Sequence, residues 1–207
     1  MAEIDYPAKL SIDYPDRKLN RLTSFFRIFM AIPILIILGL LIGTLTNWGD
    51  GGWNAQYGAI GIVFIPTVLM FLFRKKYPRW WFDWNLAFTR FNTRVSAYLL
   101  LLRDEYPSTD EEQSVHIDIT YPNAQELSRG LPIVKWIMAI PHYIVLVCLG
   151  VAVWVVTIIA WFAILFTGRY PRGMFGFVVD VYRWSIRVLA YAFILVTDKY
   201  PPFSLSA

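Results

Sequence analysis

Charged residues are scarce in this sequence, and cysteine is almost missing. Of its 207 residues, 16% are charged, compared with about 25% in average soluble domains, whereas 57% are hydrophobic and 17% are aromatic. These values exclude a disordered chain, a nucleic-acid-binding domain and a small disulfide scaffold, although the net charge is +4. Cys148, the one cysteine, lies in an apolar stretch, so a packing role is expected for it. The composition is typical of a protein whose main solvent is lipid.

The motifs of common catalytic and metal sites are also missing. The chain contains no HExxH, no CxxC, no GxSxG and no glycine-rich phosphate loop. The acidic residues at 104–105 and 110–112 are expected to be exposed charges of a polar linker. His142 lies within an apolar stretch, where a hydrogen-bonded structural histidine is favoured over a haem, chlorin or metal ligand. We therefore predict no catalytic residue, no metal and no cofactor.

Long stretches without charge are what the sequence does contain. They occupy 28–48, 59–73 and 136–168, and a helix needs about 20 apolar residues to cross a bilayer. The third stretch would form a single helix roughly 50 Å long, well beyond a hydrocarbon core of about 30 Å. A tight helical hairpin that bends near Gly150 is therefore predicted there. The acidic, polar N-terminus is not typical of a secretory signal peptide.

The sequence repeats itself, and five blocks recur in the same order. The clearest of them are Met-Ala-Ile-Pro at 30–33 and 138–141, Tyr-Pro-Arg at 77–79 and 170–172, and Arg-x-x-x-Arg-Val-x-Ala-Tyr at 90–98 and 183–191. The first copy has a longer, Gly/Trp/Asn-rich loop, predicted at 44–58, between its Met-Ala-Ile-Pro and Tyr-Pro-Arg blocks. We predict two tandem repeats, 1–108 and 109–207, joined by the polar linker.

Each repeat is predicted to contain a short strand, a transmembrane helical hairpin and an amphipathic interfacial helix. Alternating apolar residues at 10–14 and 115–121 indicate the strands. The amphipathic helices are expected at 81–102 and 175–196, where arginines are surrounded by apolar residues. Arginine is costly at the bilayer centre, so a position in the interface is favoured over a membrane crossing.

The distribution of positive charge predicts an orientation. If each repeat crosses the membrane out and back, all 19 Lys and Arg residues fall on one side, which the positive-inside rule makes cytoplasmic. The predicted fold is thus an all-α integral membrane protein with two short cytoplasmic strands. It consists of two tandem pseudo-symmetric repeats, and both termini are expected in the cytoplasm.

Several of these residues resemble the membrane-protein family called domain of unknown function 4389. The stretch Ile-Leu-Phe-Thr-Gly-Arg-Tyr-Pro at 164–171, the helix after it and the closing Tyr-Pro at 200–201 carry the resemblance. It covers nearly the whole chain as two copies. The first copy departs from the pattern with Arg-Lys-Lys at 74–76, where the second has Thr-Gly-Arg at 167–169. The resemblance implies a multi-pass protein of the bacterial inner membrane, and it implies no activity.

Basic residues at the turns and on the amphipathic helices are the candidate site for lipids or a partner. Arginines four residues apart share a helix face, and their guanidinium groups suit phosphate oxygens. Topological anchoring combined with salt bridges is the competing interpretation, and it is the favoured one. The candidates are Arg74, Lys75, Lys76, Arg79, Arg90, Arg94, Arg169, Arg172, Arg183 and Arg187.

Three functions remain open on the sequence alone. The favoured one is a non-catalytic membrane protein, either an accessory or scaffold subunit of a larger complex or a lipid-organising protein. A small transporter or channel is the second, because many transporters are internally repeated. A lipid-modifying enzyme at the cytoplasmic face, using Asp83 or Asp180, is the third, although these residues do not align between the copies. The expected partners are anionic membrane lipids and a larger complex or a second copy of the chain, and no nucleic acid is expected.

Overall fold

The chain is mostly helical and contains a small two-stranded sheet. The computed structural model describes residues 6–42, 66–109, 111–128 and 130–205. The strands are β1 (Ala8–Ile12) and β2 (Val115–Ile119). The helices are α1 (Arg21–Phe25), α2 (Arg27–Ile42), α3 (Arg79–Leu99), α4 (Leu131–Met138), α5 (Ile140–Thr167) and α6 (Arg172–Ala192), and a π-helical turn spans Met70–Arg74.

The sheet pairs one strand from each half of the chain. β1 and β2 are antiparallel, with Leu10 opposite Ile117. Both strands alternate between buried and exposed residues, as their sequences predict, because successive side chains of a strand point to opposite faces. One face of the sheet is therefore apolar and covered, whereas the other carries exposed residues such as Lys9 and Asp118.

The amphipathic helices form a middle layer that covers the apolar face of the sheet. Each of them contacts the strand from the other half of the chain, so that α6 packs on β1 and α3 packs on β2. The side chain of Arg183 in α6 donates to the carbonyl oxygen of Leu10 at 3.0 Å. Arg90 in α3 donates to the carbonyl oxygen of Ile117 at 3.0 and 3.1 Å. The two halves thus share one core, and the boundary near residue 108 stays a prediction.

The apolar helices form a third layer, on the far side of the amphipathic helices. Ala31 and Ile34 of α2 cluster with Phe91 and Val95 of α3. α5 packs on α6 and on α1, and four of its side chains form a buried stripe. They are His142, Val153, Ala160 and Ile164. We call α2, α4 and α5 together the apolar layer, because their remaining faces carry exposed apolar side chains.

The ends of the long helices follow from local sequence. α5 ends at Gly168, whose φ of 74° places it in the left-handed region that favours glycine at a helix C-terminus. Lys75 takes the corresponding conformation after the π-helical turn, with φ of 48°. Pro141 lies in the first turn of α5, where its missing N–H costs no helical hydrogen bond. The helical segment is broken at Ala139, between the end of α4 and the start of α5, two residues before this proline.

The predicted helical hairpin in the second half is wrong. Gly150 lies in the interior of α5, which continues without interruption through 28 residues. One glycine lowers helix stability by about 1 kcal/mol, which neighbouring apolar helix formers outweigh. No proline, asparagine or aspartate lies beside Gly150 to form a turn.

The predicted multi-pass architecture is also wrong for the part of the chain that the structure describes. There, one helical stretch is long and apolar enough to cross a membrane, namely Leu131–Thr167, with a mean hydropathy of 2.8. The apolar helix Arg27–Gly39 is too short for this. The loop predicted at 44–58 and much of the apolar stretch at 59–73 lie outside the described residues. The long helix suggests membrane association, but it gives no orientation of the termini.

Candidate lipid-contact site

The apolar layer is exposed to an unusual extent. Only 11% of the most apolar window of the long helix is buried in the protein, whereas the core helix of a soluble protein is mostly buried. The exposed side chains run along the whole of α5, from Ile144 through Trp154 to Phe166, which is 78% exposed. Cys148 is exposed on the same helix, so its expected packing role is wrong. Contiguous apolar surface of this kind marks a membrane or protein contact.

Two groups of cations follow apolar helical segments, and we call them the basic turns. The first contains Arg74, Lys75, Lys76 and Arg79 and lies between the π-helical turn and α3. The second contains Arg169 and Arg172 and connects α5 to α6. Five of these six side chains are exposed, and Lys75 is half-buried and donates to the carbonyl oxygen of Gln125 at 2.8 Å. None of the six takes part in a salt bridge within the described ranges.

A tyrosine ring supports one arginine of each basic turn. The guanidinium carbon of Arg172 lies 5.2 Å from the ring centroid of Tyr14. Arg79 is at the same distance from the ring of Tyr121. This cation–π contact restricts where the guanidinium group lies but leaves its N–H groups available to a ligand. The two basic turns therefore have positioned, solvent-facing donors.

The four arginines on the amphipathic helices have a different environment from the basic turns. Arg90 and Arg183 bond to the sheet, and Arg183 also pairs with Asp180 at 2.8 Å. Arg94 donates to the carbonyl oxygen of Ser108 at 2.8 Å. Arg187, which is 4% exposed, donates to that of Ser204 at 2.5 Å. These four residues hold the fold together, and a lipid contact for them stays a prediction.

Two buried cations were missed from the sequence. Lys135 is 1% exposed, lies 2.6 Å from a carboxylate oxygen of Asp198, and donates to the carbonyl oxygen of Thr197 at 2.8 Å. In the first half, Arg27 pairs with Asp104. The recurring blocks could have indicated these two ion pairs. Both cations lie three residues before Met-Ala-Ile-Pro, and both aspartates begin a closing Asp-x-Tyr-Pro. Burial raises the pKa of Asp198, but hydrogen bonds from Lys135 and the backbone N–H of Ser128 outweigh burial and lower it.

The linker after α3 is held by its acidic residues, so the expectation of exposed charges at 104–105 is wrong. A carboxylate oxygen of Glu105 lies 2.6 Å from a guanidinium nitrogen of Arg103 and accepts a hydrogen bond from the Ser114 hydroxyl at 2.8 Å. Burial raises the pKa of Glu105, but these hydrogen bonds outweigh it and hold that pKa at about 2. Glu105 therefore fixes the linker as a closed loop.

His142 has the environment of a hydrogen-bonded structural residue. Its side chain is fully buried, and its Nδ1 accepts a hydrogen bond from the indole N–H of Trp184 at 3.0 Å. Its ring stacks on Phe203 with a centroid distance of 3.9 Å. Across the described ranges, no three His, Cys, Asp or Glu residues lie close enough together to hold a metal ion.

A cleft of about 590 Å³ lies between α3, α5 and α6, a size typical of small-molecule sites. Its walls on α5 and α6 are mainly apolar and include Gly150, Trp154 and Leu189. On α3 they are polar, but the hydroxyls of Thr89 and Thr93 donate to backbone carbonyls four residues earlier, at 2.8 Å. The cleft therefore suits a hydrocarbon chain better than a polar ligand, because most of its walls on α5 and α6 are apolar.

Comparison with known proteins gives one match. A family model described as domain of unknown function (DUF4389) matches residues 132–204, which contain nearly all of α4 and the whole of α5 and α6. It finds one copy of the family, and the predicted second copy is not found. No curated protein and no solved structure matches the chain. The family resemblance read from the sequence is thus supported for residues 132–204, in a single copy.

Proposed function

We propose that the protein is a non-catalytic, membrane-associated protein that binds and organises anionic lipids at its basic turns. The observation that carries this proposal is the position of exposed cations directly beside the apolar layer. Arg169 and Arg172 follow the last residue of α5 within five positions, and Phe166 is exposed just before them. At a membrane surface, phosphate groups lie directly beside the hydrocarbon region, so this arrangement of cations and apolar side chains matches both.

The chemistry of the basic turns supports a phosphate ligand. Guanidinium groups donate two parallel hydrogen bonds to phosphate oxygens. Near an anionic membrane surface, each basic residue contributes about 1 kcal/mol, which corresponds to about a five-fold change in affinity. Because tyrosine rings already hold Arg79 and Arg172, less side-chain freedom is lost when a headgroup binds.

The cleft supports the same proposal from the apolar side. Its hydrocarbon walls belong partly to α5, which is also part of the apolar layer. An acyl chain of a lipid in contact with that layer would lie against these apolar walls. We therefore assign the cleft to a lipid chain and the basic turns to lipid headgroups.

Counting the lipids that remain bound tests the headgroup contacts. The protein is reconstituted in vesicles of equal phosphatidylcholine and phosphatidylglycerol, extracted gently, and analysed by native mass spectrometry. We expect the wild type to retain phosphatidylglycerol preferentially and the Arg169→Gln/Arg172→Gln variant to lose most of that preference. The single variants Arg169→Gln and Arg172→Gln should each lose part of the preference, whereas Lys9→Gln, which removes one cation from the exposed face of the sheet, should retain it.

Native mass spectrometry of the reconstituted protein, together with the same measurement on protein extracted from its own membranes, distinguishes lipid organisation from the accessory-subunit alternative. Equal retention of both lipids by the wild type and all variants would remove the proposed lipid site. A polypeptide that co-purifies from native membranes in fixed stoichiometry, without bound anionic lipid, would show that a protein partner covers the apolar layer instead.

A further inference from the structure

We infer that α4 and α5 lie along the membrane surface, buried in one leaflet, and that they do not cross the bilayer. The inference rests on the proposed membrane association and adds its depth and direction. It concerns the longest apolar segment that the structure describes, Leu131–Thr167, which has the length and composition of a membrane-spanning helix.

The first argument is that α5 is covered by protein along one side over its whole length. Its buried stripe extends from His142, in the first turn, to Ile164, in the last turn. At the first end His142 bonds to Trp184 of α6. At the other end the four residues 168–171 connect α5 directly to the start of α6. α5 and α6 therefore run antiparallel along each other, and both lie at the same depth in any orientation.

The second argument is what else packs on α6. β1 packs on this helix, and Arg183 of α6 donates to its backbone. If α5 stood across the bilayer, α6 and the sheet beside it would also be at hydrocarbon depth. A two-stranded sheet has two open edges, and lipid-exposed open edges do not occur in the hydrocarbon region. The exposed Lys9 and Asp118 on its outer face would also lose their solvation.

The third argument is length. The 28 residues of α5 extend for about 42 Å, compared with a hydrocarbon core of about 30 Å. A helix that lies in the plane of the membrane has no such limit. In that orientation the exposed side chains of the apolar layer enter the acyl region, the basic turns lie at the headgroups, and the sheet lies in water. Amphipathic proteins bind membrane interfaces with this division of surfaces.

The orientation is tested with single cysteines at the start, middle and end of the helical segment. Gly130 precedes α4, and Gly173 lies in the first turn of α6. A side chain added at either glycine meets nothing within 4 Å, so that cysteine fits there in a Cys148→Ala background. The native Cys148 marks the middle of the segment, where it is exposed.

Two measurements on the full-length protein in membranes give the answer. A membrane-impermeant maleimide is applied to sealed vesicles, and a nitroxide on Cys148 reports depth by its collisions with oxygen and with a polar nickel complex. We expect Gly130→Cys and Gly173→Cys to be labelled from the same side, and the nitroxide to lie about 5–10 Å below the headgroups.

Each alternative topology gives a different result that would overturn the inference. Labelling of the two cysteines from opposite sides would show a spanning helix. Labelling from one side, with Cys148 close to the opposite surface, would show a helical hairpin. Equal retention of both lipids by the wild type in the retention experiment would refute the headgroup contacts and leave the in-plane geometry standing, so the two proposals fail separately.

Discussion

The hydroxyl of Tyr14 donates a hydrogen bond to the backbone carbonyl oxygen of Tyr170 at 2.5 Å, which connects the end of the first strand segment to the second basic turn. Tyr121 makes the same bond to the carbonyl oxygen of Tyr77 at 2.5 Å, at the first basic turn. In each pair, the ring of the donating tyrosine also makes a cation–π contact with an arginine of that basic turn. Each strand segment therefore positions the basic turn of the other half.

We expect Tyr14→Phe to destabilise the protein by about 1–2 kcal/mol, because it removes one hydrogen bond and leaves a carbonyl of the turn unpaired. The phenylalanine ring keeps the contact with Arg172, so anionic-lipid preference should change little. The measurement is the unfolding midpoint in mixed detergent micelles. Tyr106→Phe is the control, since Tyr106 is largely exposed and should change stability by less than about 0.5 kcal/mol. Equal effects of the two variants would show that the Tyr14 bond contributes no stability.

The arginines on the amphipathic helices should behave oppositely to those of the basic turns. Arg90→Gln and Arg183→Gln each remove hydrogen bonds from a charged donor to the sheet, which contribute about 1.5–3 kcal/mol. We expect lower unfolding midpoints with unchanged anionic-lipid preference. Arg169→Gln/Arg172→Gln should instead reduce the preference and leave the midpoint nearly unchanged. A loss of lipid preference in Arg90→Gln would return that residue to the candidate lipid site.

Acid should weaken the loop that Glu105 closes. Burial raises the pKa of Glu105, whereas hydrogen bonds from Arg103 and Ser114 lower it more strongly, to about 2 from its ordinary value of 4.5. Because the folded-state pKa lies below the unfolded one, the carboxylate stabilises the fold fully above pH 4.5 and loses this contribution as the pH falls towards about 2. Asp198, whose pKa is also lowered, acts in the same direction.

The contribution of Glu105 is isolated by comparing the wild type with Glu105→Gln from neutral pH downwards. We expect the wild type to have the higher unfolding midpoint at neutral pH and the difference to disappear near pH 2. A difference that stays constant across this range would mean that the ionised carboxylate is not what stabilises the loop.

Local patterns predicted the local structure well. Alternation placed the strands: β2 lies within its alternating segment, and β1 overlaps its segment but begins two residues earlier. The periodicity of apolar residues around Arg90 and Arg183 placed the amphipathic helices, which begin two or three residues earlier than expected. Both signals work because a strand and a surface helix each bury one face, and that face appears directly in the order of residues.

Contacts between distant segments could not be predicted in the same way. In the sequence, Asp104 and Glu105 are two acidic residues of a polar linker. Only in the folded chain does Arg27 pair with Asp104 and the Ser114 hydroxyl donate to Glu105. Hydropathy also indicates that a helix is apolar, but it does not indicate whether protein or lipid covers that helix. The sequence therefore predicts two short spans around Gly150. In the structure this stretch is one long helix, which packs on α6.

Filling the cleft tests whether a lipid chain occupies it. Gly150 lines the cleft, and a side chain added there meets nothing within 4 Å. We expect Gly150→Leu to keep or raise the unfolding midpoint, because leucine is favoured over glycine in a helix by about 1 kcal/mol. Its side chain would displace a bound acyl chain, so native mass spectrometry should count fewer retained lipids than in the wild type. Gly176→Leu is the matched control, because Gly176 lies in α6 with similar free space and is not part of the cleft. If Gly150→Leu retained as many lipids as Gly176→Leu, the cleft would not be a lipid site and the basic turns alone would account for binding.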